Sequence, residues 1–165
     1  MTIHPMLPAD LDAVLRVQAA CYPPPMQEAA AVVKARLDAA AATCLAARDA
    51  DGVCGYLFAY PSRLGLVTDL GAPFEIAPDA DTLYLHDLAV DPRALGQGLA
   101  RALVEHLLDL GRGQGWSRPL SHAALVSVQD STRFWNGLGF AARATNDPGL
   151  LTYPAGAVYM ARPLD

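Results

Sequence analysis

The segment from Leu85 to Arg101 constrains the fold more than any other part of the chain. Its first residues have the composition of a β-strand, which must end at Pro92 because proline has no N–H group for a strand ladder. A turn containing Gly96 and Gly98 follows, and a helix is expected from Leu99. Since such a turn leaves backbone N–H groups uncovered beside the positive end of a helix, the segment predicts a site for a phosphate-like anion.

The composition indicates one domain spanning residues 1–165. Of these residues 53% are hydrophobic, and a chain of about 150 residues buries roughly 70% of its unfolded surface without disulfides or metal. The net charge of -5, with no basic run, argues against nucleic acid as a partner. No apolar stretch reaches the roughly 20 residues of a membrane span and no signal-peptide layout is present, so we expect a cytoplasmic protein that does not contact membranes.

The cysteines and histidines show no metal-ligand spacing. Cys21, Cys44 and Cys54 are odd in number and lack a CxxC pair, which argues against a disulfide framework and against structural zinc. We therefore expect free thiols and no bound metal.

Strand and helix patterns alternate along the chain. Strands are predicted at 2–5, 43–48, 53–60, 83–90, 120–126, 140–143 and 158–161, and helices at 10–20, 27–41, 99–112 and 131–138. The run Asp49-Ala50-Asp51-Gly52 is a hairpin signal. Residues 61–81 form a long insertion rich in Gly, Pro and Asp, a kind of loop that is often functional or mobile.

Two motifs carry a family resemblance. Leu95-Gly96-Gln97-Gly98-Leu99-Ala100 follows the strand that ends at Val90, and Phe134-Trp135-Asn136-Gly137-Leu138-Gly139-Phe140 comes later in the chain. In this order and spacing they resemble the GNAT superfamily of N-acetyltransferases over nearly the whole chain. The run Leu85–Val90 and the loop Cys21-Tyr22-Pro23 are most similar to the arylalkylamine (serotonin-type) enzymes.

The resemblance implies an α/β (α+β) fold and a cosubstrate. The expected fold is a mixed, twisted sheet of about seven strands flanked by about four helices, splayed between the fourth and fifth strands. Acetyl-CoA would lie in the splay, with its acetyl carbonyl and pantetheine arm on the backbone of Leu88, Ala89 and Val90. The residues that would hold its pyrophosphate are Leu95, Gly96, Gln97, Gly98, Leu99, Ala100 and Arg101. Leu95 stands where the family usually has Arg or Gln, so backbone donors would dominate, and Arg93 or Arg101 could supply a side-chain charge.

His86 is the candidate general base. A primary alkylamine is almost fully protonated at neutral pH and must lose a proton before it can attack. Imidazole is suited to take that proton because it titrates close to neutrality. Strand alternation places His86 on one face with Tyr84, Leu88 and Val90, and Asp87 on the other. Tyr84 stands where the serotonin-type enzymes have a second histidine, and it could relay a proton or line the pocket.

The departing thiolate also needs a proton. The family often has a tyrosine for this step at the position of Trp135, and an indole does not act as an acid. Trp135 therefore packs against the thiol end of the cofactor or anchors the core. Ser127 or Ser131 could contribute through water.

The acceptor is the least constrained part of the prediction. Residues that could line an amine pocket are Tyr22, Pro24, Met26, Phe58, Tyr60 and Phe74. Glu28, Asp69 and Glu75 could instead hold a second ammonium, as a polyamine or aminoglycoside would need. The expected function is acetyl transfer to a small primary amine by direct attack in a ternary complex. The alternatives are a protein or peptide N-acetyltransferase and a non-catalytic acyl-CoA-binding domain. A homodimer is compatible with the sequence.

Overall fold

A mixed seven-stranded sheet forms the centre of the fold. The computed structural model describes residues 1–165, and its strand order is β1-β2-β3-β4-β5-β7-β6. The strands are β1 (Thr2–Pro5), β2 (Cys44–Asp49), β3 (Gly52–Ser62), β4 (Thr82–Val90), β5 (His122–Ser127), β6 (Ala141–Ala142) and β7 (Val158–Pro163). The helices are α1 (Leu11–Cys21), α2 (Ala30–Ala40), α3 (Leu99–Arg112) and α4 (Thr132–Asn136). The predicted seven strands and four helices are confirmed.

The splay predicted between the fourth and fifth strands is also confirmed. Strands β4 and β5 run parallel and pair only between Thr82–Leu85 and His122–Leu125. Beyond these four pairs the two strands separate, while β5 continues to pair with β7 up to Ser127. The backbone of the second half of β4 therefore lacks a neighbouring strand on this side.

Two core layers cover the faces of the sheet. Helix α3 buries Leu99, Leu103 and Leu107, which recur at the spacing of an amphipathic helix, in a core shared with α4. Helices α1 and α2 contribute to the core on the opposite face, which also buries Tyr56 and Tyr84. None of the helices combines the length and the apolar character needed to cross a membrane.

A β-bulge interrupts β4 at His86. Leu85 pairs with Ala59 of β3 and Asp87 pairs with its neighbour Phe58, so His86 has no partner residue. An extra residue of this kind bends the strand and changes the alternation of the side chains that follow.

The bulge corrects one prediction. The ring of His86 lies beside Tyr84, which belongs to the core of α1 and α2. Leu88 and Val90 pack in the core of α3 instead. The prediction that His86 shares a strand face with Leu88 and Val90 is therefore wrong, because simple alternation fails at the bulge.

Candidate active site

A cleft of about 260 Å³ opens where β4 and β5 separate. We call it the splay cleft. Sixteen residues line it, mostly apolar ones. Six residues predicted to bind the cofactor are among them: Leu88, Ala89, Val90, Leu95, Ala100 and Trp135. The others, Gly96, Gln97, Gly98, Leu99 and Arg101, form the turn and the start of α3 next to Leu95.

The glycine turn leaves the N-terminus of α3 open. Gly96 and Gly98 have φ angles of 80° and 74°, a left-handed conformation that favours glycine. Apart from the glycine itself and its two chain neighbours, no atom lies within 4 Å of a Cβ placed at either position. Gly98 is the N-cap and provides no side-chain cap, so the first N–H groups of α3 have no side-chain partner and can bind an anion.

The two candidate cations near this turn differ. Arg93 donates to Asp49 at 2.6 Å and also contacts the Val53 carbonyl, so acidic neighbours already neutralise its charge. Arg101 lies in the first turn of α3 and is half exposed, with Glu105 at 3.2 Å and the Gly137 carbonyl at 3.3 Å. Arg101 is the cation better placed to reach a ligand at the turn.

In the second half of β4, the backbone groups that do not pair with β3 point toward the splay cleft. The Leu88 carbonyl accepts a hydrogen bond from the Tyr22 hydroxyl at 3.0 Å, and the Val90 carbonyl accepts one from the Cys21 thiol at 3.2 Å. These carbonyls therefore point away from β3. Because the N–H and C=O of one strand residue point to the same side, the Leu88 N–H also faces the cleft.

A second, smaller cavity of about 30 Å³ adjoins the first. We call it the His86 cavity; its nine lining residues are Tyr22, Met26, Glu28, Leu70, His86, Asp87, Val126, Val128 and Tyr153. Five of them also line the splay cleft: Tyr22, His86, Asp87, Val126 and Val128. His86 therefore lies at the junction of the two cavities.

A buried chain of polar contacts holds the His86 ring. Its Nε2 lies 3.0 Å from Glu28 Oε1, and Arg36 Nη2 donates to Glu28 Oε2 at 2.5 Å. The His86 and Glu28 side chains are 2% and 4% exposed. Burial alone would raise the pKa of Glu28, but hydrogen bonds from His86 and Arg36 outweigh it and hold that pKa well below its ordinary value.

Glu28 selects the tautomer of His86. A carboxylate can only accept, so in the neutral form of the ring Nε2 carries the proton and Nδ1 keeps its lone pair. Nδ1 lies 3.5 Å from the hydroxyl of Tyr153, which donates its own proton to the Thr68 carbonyl at 2.7 Å. The unprotonated nitrogen of His86 is therefore directed toward Tyr153, another residue of the His86 cavity.

The expectation that Glu28 holds a second ammonium is wrong, because Arg36 already neutralises it. Asp69 and Glu75, the other two residues of that prediction, are exposed. The insertion contributes differently: Gly71 N–H donates to Glu28 at 2.7 Å, and Phe74 packs edge-on against the His86 ring. The insertion therefore closes the site over Glu28 and His86.

Alternation predicted that Asp87 lies on the strand face opposite His86. This prediction is wrong. Its Oδ2 accepts a hydrogen bond from Tyr56 at 2.9 Å, and Tyr56 belongs to the same core layer as Tyr84. Burial raises the pKa of Asp87 above its ordinary value. Its Oδ1 is buried without a hydrogen-bond partner.

The predicted relay residue Tyr84 lies deeper than the cavities. Its ring stacks at 6.3 Å from the His86 ring, its hydroxyl has no hydrogen-bond partner, and it lines neither cavity. Tyr153 is the phenol that contacts His86. Sequence reasoning missed Tyr153, which lies in a loop before β7 without a motif.

Comparison with known proteins agrees with this architecture. Residues 11–140 match the sequence pattern of the acetyltransferase (GNAT) family. The chain belongs to this family. A search of curated proteins gave no significant match, so the narrower similarity to arylalkylamine enzymes stays a prediction.

Solved structures of other GNAT proteins share the fold of this one. The GNAT-like decarboxylase GphF, in complex with isobutyryl-CoA, has a TM-score of 0.81 at 19% identity and covers 100% of both chains. The loading GNATL domain of CurA from Lyngbya majuscula has a TM-score of 0.79 at 12% identity, covering 99% of this chain and 97% of that one. The ribosomal-protein-S18-alanine N-acetyltransferase from Escherichia coli has a TM-score of 0.66 at 19% identity, covering 99% and 94%.

Trp135 supplies no acidic group to the splay cleft of this GNAT protein. Trp135 is 7% exposed and packs against Phe134 and Phe140, so it serves the core and the cleft wall together. The residues with hydroxyl groups that line the cleft are Tyr22 and Ser131. Ser127 lies behind Ser131, 2.9 Å from its hydroxyl.

Proposed function

We propose that the protein transfers an acetyl group from acetyl-CoA to the primary amine of a small molecule, with His86 as general base. The observation that carries this proposal is the position of His86 at the junction of two cavities, with its tautomer selected by Glu28. One cavity suits the thioester, and the other suits the attacking nitrogen. A base between them can reach the proton that the amine must lose.

The splay cleft is the proposed binding site for the acyl-CoA. The Leu88 N–H would stabilise the oxyanion that forms on the thioester carbonyl. The turn from Gly96 to Arg101 and the open end of α3 would hold the pyrophosphate. Support comes from GphF, a protein of the same fold that was solved with isobutyryl-CoA.

The proposed reaction begins with an ammonium. His86 Nδ1 takes one proton from it, and the imidazolium that forms is stabilised by Glu28. The neutral nitrogen then attacks the thioester carbon, and the C–S bond breaks as the tetrahedral intermediate collapses. The second nitrogen proton goes to the sulfur, so the products are an amide, CoA thiol and the proton that His86 returns to solvent.

A second candidate function is decarboxylation of an acyl-CoA that carries a free carboxylate, such as malonyl-CoA. The small size of the His86 cavity favours it: about 30 Å³ is close to the volume of one water molecule in the liquid. A reaction without a second substrate needs no larger space. GphF, which shares the fold, is a GNAT-like decarboxylase.

Measuring thiol release and carbon dioxide release side by side separates these functions. The protein is incubated with acetyl-CoA and, in turn, arylalkylamines, polyamines, aminoglycosides and short peptides, and separately with malonyl-CoA and no acceptor. We expect CoA release that requires a small primary amine. Carbon dioxide release from malonyl-CoA without an acceptor would establish the second candidate instead. Release with peptides only would establish a peptide acetyltransferase, and no consumption of either donor would contradict both enzymatic proposals.

A further inference from the structure

The charges around the His86 cavity do not balance. Two carboxylates line it, those of Glu28 and Asp87. Glu28 has a buried cation, Arg36, at 2.5 Å and accepts further hydrogen bonds from His86 and Gly71. Asp87 forms no ion pair. Tyr56 donates a hydrogen bond to its Oδ2, and the Tyr22 hydroxyl lies beside the same carboxylate but donates to the Leu88 carbonyl at 3.0 Å.

The unsatisfied oxygen of Asp87 is the unusual feature. Oδ1 is buried and has no hydrogen-bond partner. Leaving a buried polar atom unsatisfied costs free energy, and leaving a buried charge without a cation costs more. Asp87 lines the His86 cavity, so a ligand group that enters there can supply the hydrogen bond that its carboxylate lacks.

The remaining walls show which ligand atom would fit. Across the cavity from β4 the residues are apolar, Val126 and Val128. The other polar side chains are His86, whose Nε2 contacts Glu28, and the phenols Tyr22 and Tyr153, which both donate to carbonyl groups. The cavity therefore has no cation with N–H donors for Asp87, and the ligand group that fits there is a compact cation of this kind.

We propose that Asp87 is the residue that binds the ammonium of the acceptor and so determines specificity for cationic amines. This inference rests on the proposed acetyltransferase function and names the contact that selects its substrate. Oδ1 accepts a hydrogen bond from the ammonium, and His86 Nδ1 then removes one of its other protons. Asp87 stays ionised in the complex because a neighbouring cation favours the charged form of a carboxyl group.

The test compares two amines of nearly equal shape and different charge. The first is β-phenylethylamine and the second is its β,β-difluoro analogue, whose ammonium is the stronger acid. At a pH between their two ammonium pKa values, the first is a cation and the second a neutral amine. Binding is measured by calorimetry on the protein saturated with CoA, which carries no acetyl group and allows no turnover.

The variants are Asp87→Asn, which removes the charge at constant shape, and Asp109→Asn, which removes an exposed charge on α3 outside both cavities. For the unchanged protein and for Asp109→Asn we expect the cation to bind more tightly than the neutral amine. Asp87→Asn should weaken binding of the cation by about tenfold to hundredfold and change binding of the neutral analogue little. Thermal unfolding of each variant confirms that it is folded.

The outcomes separate this inference from the proposed function. Equal binding of the cation by Asp87→Asn and the unchanged protein would overturn the ammonium site, and so would binding of neither amine by the unchanged protein. Amine-dependent CoA release in the thiol assay would still support acetyl transfer in both cases. If no amine caused CoA release in the thiol assay, the proposed function itself would be wrong.

Discussion

The two cavities that meet at His86 are built in different ways. The splay cleft uses backbone groups and apolar side chains, and many of them come from one continuous segment, residues 85–101. The His86 cavity depends on side chains that are distant in the chain, including Glu28, His86 and Tyr153. A substitution in the cleft should therefore act through shape or local charge, while one in the cavity should disturb a buried network.

The largest effect is expected from His86→Ala. Without the base, kcat/KM for an amine should fall about 10²- to 10⁴-fold near neutral pH. The deficit should shrink as the pH rises, because the amine then loses its proton to solvent. Acetyl-CoA binding, measured by calorimetry, should be unchanged, since the cleft is built largely from other residues.

The control for His86→Ala is His122→Ala, which changes a histidine outside both cavities and should leave kcat/KM and its pH profile unaltered. A pH profile of His86→Ala parallel to that of the unchanged protein would remove His86 as the base.

Glu28→Gln should have the next largest effect, on stability. It leaves Arg36 buried without a counter-charge, and breaking a buried ion pair in this way costs about 3–5 kcal/mol. The pKa of Glu28 lies below its ordinary value of 4.5. Its ionisation therefore stabilises the fold above 4.5, and this contribution is lost as the pH falls toward the lower folded-state pKa. Urea unfolding of both proteins should show their difference narrowing in acid.

Asp38→Asn is the matched control for Glu28→Gln. It breaks an exposed pair with Lys34 on α2 and should cost less than about 1 kcal/mol. If Glu28→Gln cost as little as this control, Glu28 would not be part of a stabilising buried network.

The smallest effect is expected at the glycine turn. Gly98→Glu and Gly98→Gln share the strain of a φ angle of 74° and differ in charge. Calorimetry should show that Gly98→Glu binds CoA about tenfold more weakly than Gly98→Gln. This corresponds to a difference near 1.4 kcal/mol in binding free energy, and its cause is electrostatic. The difference should shrink at high salt. Equal affinities would show that the pyrophosphate does not bind at this turn.

The contrast between the cavities also shows what the sequence can predict. Helix α3 begins at Leu99 and ends at Arg112 as expected, because its pattern, its glycines and its length are local properties. The hairpin at Asp49–Gly52 is confirmed for the same reason. The family motifs likewise predicted the splay between β4 and β5.

The missed features depend on partners distant in the chain. The bulge at His86 is defined by its register with β3, which no pattern within β4 reveals. Glu28 was mistaken for a substrate-binding residue because Arg36 becomes its partner only after α2 folds onto the sheet. Tyr153 reaches His86 from a loop that carries no motif.

The short pairing between β4 and β5 has a consequence for the sheet as a whole. Four residue pairs join the half that contains β1–β4 to the half that contains β5–β7, although the core of α3 packs beneath both. An occupant of the splay cleft touches both halves, since residues of β4 and β5 line it together. If the cosubstrate binds in this cleft, as proposed, it is also a structural part of the protein and takes the place of the strand contacts that the chain does not make.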